Sequence, residues 1–161
     1  MTLKILDKGY DKFLKGIIRD DKAHVLIGIQ GRDASANHKK AKGLTVAEVG
    51  EIHEFGVGVP SRSFLRDWFD ENKAKLRKRM INVAKKIASP RSSMTTKKGL
   101  GVFGSVSVGE IQARISQGIH PPLSEATKKS RAHLKKSGGR VVATPLINTG
   151  QLRSSITWKV E

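Results

Sequence analysis

Hydrophobic positions along this chain follow two rhythms. One is helical. Tyr10, Phe13, Leu14, Ile17 and Ile18 are spaced three and four apart, which predicts a helix over residues 7–19, weakened by Gly9 and Gly16. Val46, Val49, Ile52 and Phe55 predict a second helix. Thr45-Val46-Ala47-Glu48 opens it as a capping box, and Gly56 fits the position just past its end. The longest stripe is Phe64, Leu65, Trp68, Phe69, Leu76, Met80, Val83, Ala84 and Ile87, which predicts a helix over residues 63–88, roughly 40 Å long. Asp67, Asp70 and Glu71 stand in its early turns, and Lys85 and Lys86 in its last, as the helix dipole favours. Ser107 and Glu110 form another capping-box pattern beside Val108, Ile111 and Ile115, with Gly118 ending that helix. Ser124 is expected to cap a short helix of about ten residues.

The other rhythm is the alternation of a strand. Residues 23–30 read as a strand buried on at least one face. Near the C-terminus, Ile156, Trp158 and Val160 alternate with Ser155, Thr157 and Lys159. A turn precedes that strand: Pro145 stops the preceding element, Asn148 or Thr149 can cap a helical turn, and Gly150 permits an unusual backbone angle. Residues 3–6 and 141–144 are weaker strand candidates. Two stretches lack either rhythm and read as mobile basic loops, at residues 31–43 and 89–104; a basic Gly-Ser loop is also expected over residues 135–140. The expected fold class is α+β. A single domain over residues 1–161 would pack a small antiparallel or mixed sheet against one long helix, with additional short helices. Trp68 and Trp158 both sit on apolar faces and are expected in the core.

Charge changes the picture most. The chain of 161 residues carries a net charge of +17, and the excess is lopsided. Residues 1–60 hold 10 basic and 8 acidic side chains, whereas residues 61–161 hold 21 and 6. No acid stands between Asn72 and Gly109. Such a field attracts polyanions or acidic protein faces. The candidate polyanion contacts are Lys39, Lys40, Lys97, Lys98, Lys128, Lys129 and Arg131. The bland alternative is a solvated face with flexible loops. There is no cysteine, which excludes disulfides, thiolate metal sites and thiol nucleophiles. Leu3, Ile5 and Leu6 are too few for the apolar core of a signal peptide, and no apolar run approaches the roughly 20 residues of a membrane span.

The sharper motifs fail on chemistry. Gly99-Leu100-Gly101-Val102-Phe103-Gly104 has the spacing of a dinucleotide loop, but no strand precedes it and the expected acid is missing. His53-Glu54 begins like a zinc-protease motif, yet position 57 is Val. The five histidines are scattered, and neither a catalytic triad nor a phosphate loop emerges, so no catalytic, metal-binding or cofactor-binding residue is expected. Glu48, Glu51 and Glu54 recur at helical spacing, as a solvated face or as an acidic surface for a basic neighbour. Arg62 reads equally as a bidentate bridge to a neighbour's carboxylate or as a brace for the loop before the long helix. With Arg66, Lys73 and Arg77 on the long helix, these are the candidate interface residues, since an acidic helix could meet the basic helix of the next subunit in a ring.

Four boxes carry a resemblance. They are Glu48-Val49-Gly50-Glu51-Ile52-His53-Glu54-Phe55-Gly56, Val59-Pro60-Ser61-Arg62-Ser63-Phe64-Leu65-Arg66, the stretch from Gln117 through His120-Pro121-Pro122-Leu123 to Thr127, and Pro145 through Trp158 to Val160. In this order they resemble the virion-morphogenesis and tail-completion proteins of long-tailed Mu-like and lambdoid phages. Ser63 stands where that family often has a second proline, and residues 89–104 are longer and more polar than its pattern. The resemblance implies a structural virion protein, not an enzyme, at the neck, collar or tail end. It implies a homo-oligomeric ring, with a hexamer as the expected form, around the DNA channel. Its partners would be the connector or stopper on one face and the tail tube or terminator on the other, with no cofactor and no membrane. Assembly would occur in the host cytoplasm. The alternative, motivated by charge, is a basic protein that binds DNA or RNA without sequence preference. Few aromatics are available for base stacking.

Overall fold

The computed structural model describes residues 22–39, 41, 43–89, 91–136, 144–147 and 150–161. The expected strand at 3–6, the helix at 7–19, Lys40, the loop at 137–140 and the turn residues Asn148 and Thr149 lie outside the described residues, as does residues 141–143 of the weaker strand candidate.

The chain is α+β. In order it forms strand β1 (Val25–Ile29), the helical turn α1 (Arg32–Ser35), helices α2 (Val46–Phe55), α3 (Arg66–Ala88), α4 (Thr96–Gln117) and α5 (Glu125–Lys136), the helical turn α6 (Gln151–Ser154), and strand β2 (Ile156–Val160). The two strands pair antiparallel, with Val25 opposite Val160, Ile27 opposite Trp158 and Ile29 opposite Ile156. Backbone bonds of 3.0 Å in both directions between His24 and Glu161 extend the ladder.

The capping box at α2 is present. Thr45 N–H donates to Glu48 Oε2 at 2.7 Å, and Glu48 N–H donates to Thr45 Oγ1 at 3.3 Å. Gly56 ends the helix in the left-handed region, at φ 78°. Ser124 caps α5 through Thr127 N–H at 3.2 Å. Residues 31–43 hold more order than a mobile loop would. They carry α1, an isolated bridge from Asn37 to Thr45, and a 2.8 Å bond from His38 N–H to Leu44 O.

The largest departure from expectation is α4. It begins at Thr96, so most of residues 89–104 is helix rather than loop, and only residues 89–95 connect it to α3. Thr95 caps it by accepting from Lys98 N–H at 3.2 Å. Gly99, Gly101 and Gly104 are all buried inside this helix. A Cβ at Gly99 would come within 2.6 Å of Val83 in α3, and one at Gly104 within 2.9 Å of Trp158 in β2. The glycine cluster therefore lets α4 lie between α3 and the sheet at a separation that side chains would prevent. Glycine in a helix costs about 1 kcal/mol relative to alanine, and burial on two sides offsets that cost. The capping-box expectation at Ser107 fails for the same reason: Ser107 is mid-helix, fully buried, and its Oγ has no bonding partner.

Val46, Phe64, Trp68, Leu76, Phe103 and Ile111 belong to one core cluster, which Leu152 and Ile156 join from the C-terminal segment. Trp68 is in this core as expected, but Trp158 is 38% exposed, the outer edge of its ring packed against Gly101. Because α3 and β1 approach α4 from different sides, an open groove of about 950 Å³ is left between them.

Candidate functional site

The four sequence boxes meet at the elbow between α2 and α3. Gly56 reverses the chain after α2, and Arg62 N–H returns to His53 O at 2.7 Å. This brings the start of α3 under the last turn of α2. Glu54, in that last turn, is only 7% exposed. Its Oε1 accepts from Ser63 Oγ at 2.6 Å and Arg66 N–H at 2.9 Å, and its Oε2 from Phe64 N–H at 2.9 Å and Leu65 N–H at 3.1 Å. Those amides begin a helix and have no partner within it. One carboxylate thus caps α3 from the preceding helix, at the end where the dipole favours negative charge. Burial pushes the Glu54 carboxyl up, but the bonds from Ser63 and from the Arg66, Leu65 and Phe64 amides outweigh it and hold the group below the ordinary glutamate value.

Arg62 reaches the other way. Buried to 7% exposure, it donates from Nε to Pro121 O at 2.7 Å and from a terminal nitrogen to Pro122 O at 3.0 Å. The His120–Pro121 bond is cis. Arg131 of α5 donates to Thr144 O at 3.2 Å. Burial and the charge of Arg62 hold the Arg131 guanidinium below its ordinary value. Between the two arginines lies a cavity of about 550 Å³, also lined by His38, His53 and Leu152. Among the described residues, none that lines it is an acid. Burial, then Arg62, then His38 keep His53 below the ordinary histidine value, so it is neutral near pH 7. In the C-terminal box, Gln151 donates to Asn37 O and accepts from Lys39 N–H, each at 3.1 Å.

The expected interface residues therefore divide. Glu54 is not part of an exposed acidic row, because its carboxylate is buried and caps α3. Arg62 is buried and spends its donors on the Pro121 and Pro122 carbonyls within the chain. Glu48 is turned toward Thr45, and that backbone bond foremost lowers its pKa. Glu51 is exposed. Arg66 lies 5.6 Å from the Phe55 ring centre, Lys73 pairs with Asp70 at 2.9 Å, and Arg77 is exposed. Part of the basic face of α3 is neutralised by α4. Glu110 takes Arg79 at 2.6 Å and Lys75 at 2.9 Å, and Arg114 grips Glu71 with both terminal nitrogens.

The expected polyanion contacts do not gather into one patch. Lys97 and Lys98 are exposed in the first turn of α4, about 30 Å along that helix from Gly118. Lys128 pairs with Glu125 at 2.6 Å, Lys129 is exposed, and Arg131 turns inward. Lys39 is exposed beside α6. Among the described residues no three histidine or acidic side chains could hold a metal ion, and no helix is long and apolar enough to cross a membrane. Sequence reasoning missed Ser63 and the Pro121 and Pro122 carbonyls as partners. A serine directly before an apolar helical stripe was a usable signal for the first. Comparison with known protein families, curated proteins and solved structures finds no match for this chain.

Proposed function

We propose that this chain is a structural subunit of a long-tailed phage neck or tail end, closing with its own copies into a ring around the DNA channel. The observation that carries this reading is the convergence of the four boxes. Glu54 of the first caps the helix that opens in the second, Arg62 of the second holds the carbonyls of the third, and Leu152 and Ile156 of the fourth enter the same core. Residues spread over a hundred positions form one junction, as a shared scaffold requires and scattered matches do not. The surface also suits a subunit. Val102 and Val106, one turn apart on α4, are 53% and 43% exposed. Gly109 and Ala113 continue that uncharged strip, which a ring neighbour would cover. Partner faces would be those of a connector or stopper and of a tail tube or terminator.

Native mass spectrometry with negative-stain imaging, in moderate salt, tests the reading. Closed rings are expected, either alone or on addition of tail or connector protein, and Val102→Asp should abolish them while the chain stays folded. A stable monomer or dimer that never closes would overturn it. The net charge of +17 favours the rival, sequence-independent nucleic-acid binding. Stoichiometric, steeply salt-dependent binding of short duplex DNA by a chain that forms no ring would select that rival.

A further inference from the structure

The cavity of about 550 Å³ behind the α2–α3 elbow holds two guanidiniums, and no carboxylate stands among its described lining residues. Arg62 is buried and Arg131 partly so. Both stay charged at any physiological pH. Arg62 donates to Pro121 O and Pro122 O, and Arg131 to Thr144 O and Ile147 O. Carbonyls orient a guanidinium but leave its unit charge uncancelled. The two charges also oppose each other: burial first, then Arg62, holds Arg131 below its ordinary value. Two like charges kept together out of water are costly unless an anion joins them. The other titratable lining groups are His38 and His53. Burial foremost holds each below the ordinary histidine value, so both are neutral near pH 7.

The start of α5 adds to this field. Ser124, its cap, and Thr127, in its first turn, both line the cavity, so the positive end of the helix opens on the same space as the arginines. Glu125 in that turn does not line it and pairs with Lys128 at 2.6 Å. Much of the remaining wall is apolar, Val49, Leu146 and Leu152 included. The volume is within the range of small-molecule sites, roughly 300–1,000 Å³.

We propose that this cavity binds a small organic anion, a carboxylate or phosphate head on an apolar body. Arg62, Arg131 and the first turn of α5 would take the head, and Val49, Leu146 and Leu152 the body. A bare inorganic ion would leave those apolar walls uncovered. The phosphates of a nucleic-acid backbone need cations within reach at the surface, and Arg62 is not one. The inference is independent of the ring reading.

Calorimetric titration of the full chain in moderate salt tests this, with phenyl phosphate, benzoate and inorganic phosphate as probes. One site per chain is expected for phenyl phosphate or benzoate, and the tighter of the two names the head. Inorganic phosphate should bind about tenfold more weakly than that probe. Arg131→Gln should weaken binding about tenfold, and so should Val59→Glu, which adds a carboxylate to the cavity wall. Lys97→Ala/Lys98→Ala, which removes surface charge elsewhere, should change nothing. In the unsubstituted chain, nuclear Overhauser contacts should join the phenyl protons to the Leu152 methyls. Absence of saturable binding by either aromatic anion would overturn the proposal, as would binding without those contacts. Binding that persists in both cavity variants, or is lost in the lysine variant, would assign the anion to the general surface charge instead. Displacement of the probe by short duplex DNA would also overturn it, giving the cavity to a nucleic-acid backbone.

Discussion

At the elbow between α2 and α3, a buried carboxylate fixes one helix against another through four directed bonds. Along α4, the absence of side chains at Gly99, Gly101 and Gly104 does the same work by letting backbones approach. The first lock is polar and depends on a charge. The second is steric and has no titratable part. At the elbow Phe64 and Trp68 are already buried, and what the start of α3 lacks is acceptors for its first amides, so hydrogen bonds to a charged group supply them. Around α4 there is apolar surface on both sides, so contact distance becomes the limiting quantity.

The difference can be broken from either side. Glu54→Ala should cost the most, about 3 kcal/mol, because it strands three amides and the Ser63 hydroxyl without their acceptor. Chemical denaturation would read it as a lower midpoint at unchanged slope. The same lock should fail with acid. The folded-state pKa of Glu54 lies below its unfolded value, so its contribution is complete above the unfolded glutamate pKa, about 4.3, and is lost as pH falls through the folded value. Thermal melts below pH 4.3 should show that decline, and Glu54→Gln should flatten its share of it. Gly104→Val should cost about 2 kcal/mol by overpacking against Trp158 and Val25, with a loss that is the same at pH 4 and pH 7. An equal pH dependence in both variants would erase the distinction between the locks.

Smaller effects sharpen it. Arg62→Lys keeps the charge but loses the fork that reaches two carbonyls, and about 1 kcal/mol of stability should go with it. Ser107→Ala should raise stability by several tenths of a kcal/mol, since its buried hydroxyl has no partner and alanine favours the helix. A melting temperature that falls in Ser107→Ala would show that this hydroxyl is bonded in solution.

Local features were the legible ones. The Thr45–Glu48 box, Gly56 and the alternation of residues 156–160 are all written within a few positions, and each has the expected structure. Glu54 was misread because its partners lie nine to twelve residues on, across a chain reversal that no periodicity encodes. Residues 96–104 were misread because glycine and polar residues describe a loop when taken alone. Their helix depends on Val83, Trp158 and Val25, contributed from distant parts of the chain. A longer window held the signal: Leu100, Phe103, Ser107, Ile111 and Ile115 keep one helical face, and all are buried. The Ser107–Glu110 pattern concealed that continuity by imitating a start. At the site itself, Arg62 stands out in the sequence, but its pairing with the Pro121 and Pro122 carbonyls is backbone chemistry that side-chain identities do not announce.

The sheet joins Val25 to Val160, so its two strands come from opposite ends of the described chain. Closing a loop that long is entropically costly and slow relative to helix pairing. During synthesis, β1 emerges before all five helical segments of α1–α5 and waits for them, and for α6, before its partner exists. The helices can associate on the ribosome, but the ladder is added last, after residue 160 has cleared the exit tunnel. A chain that stops before residue 156 thus lacks the strand that places Trp158 against α4.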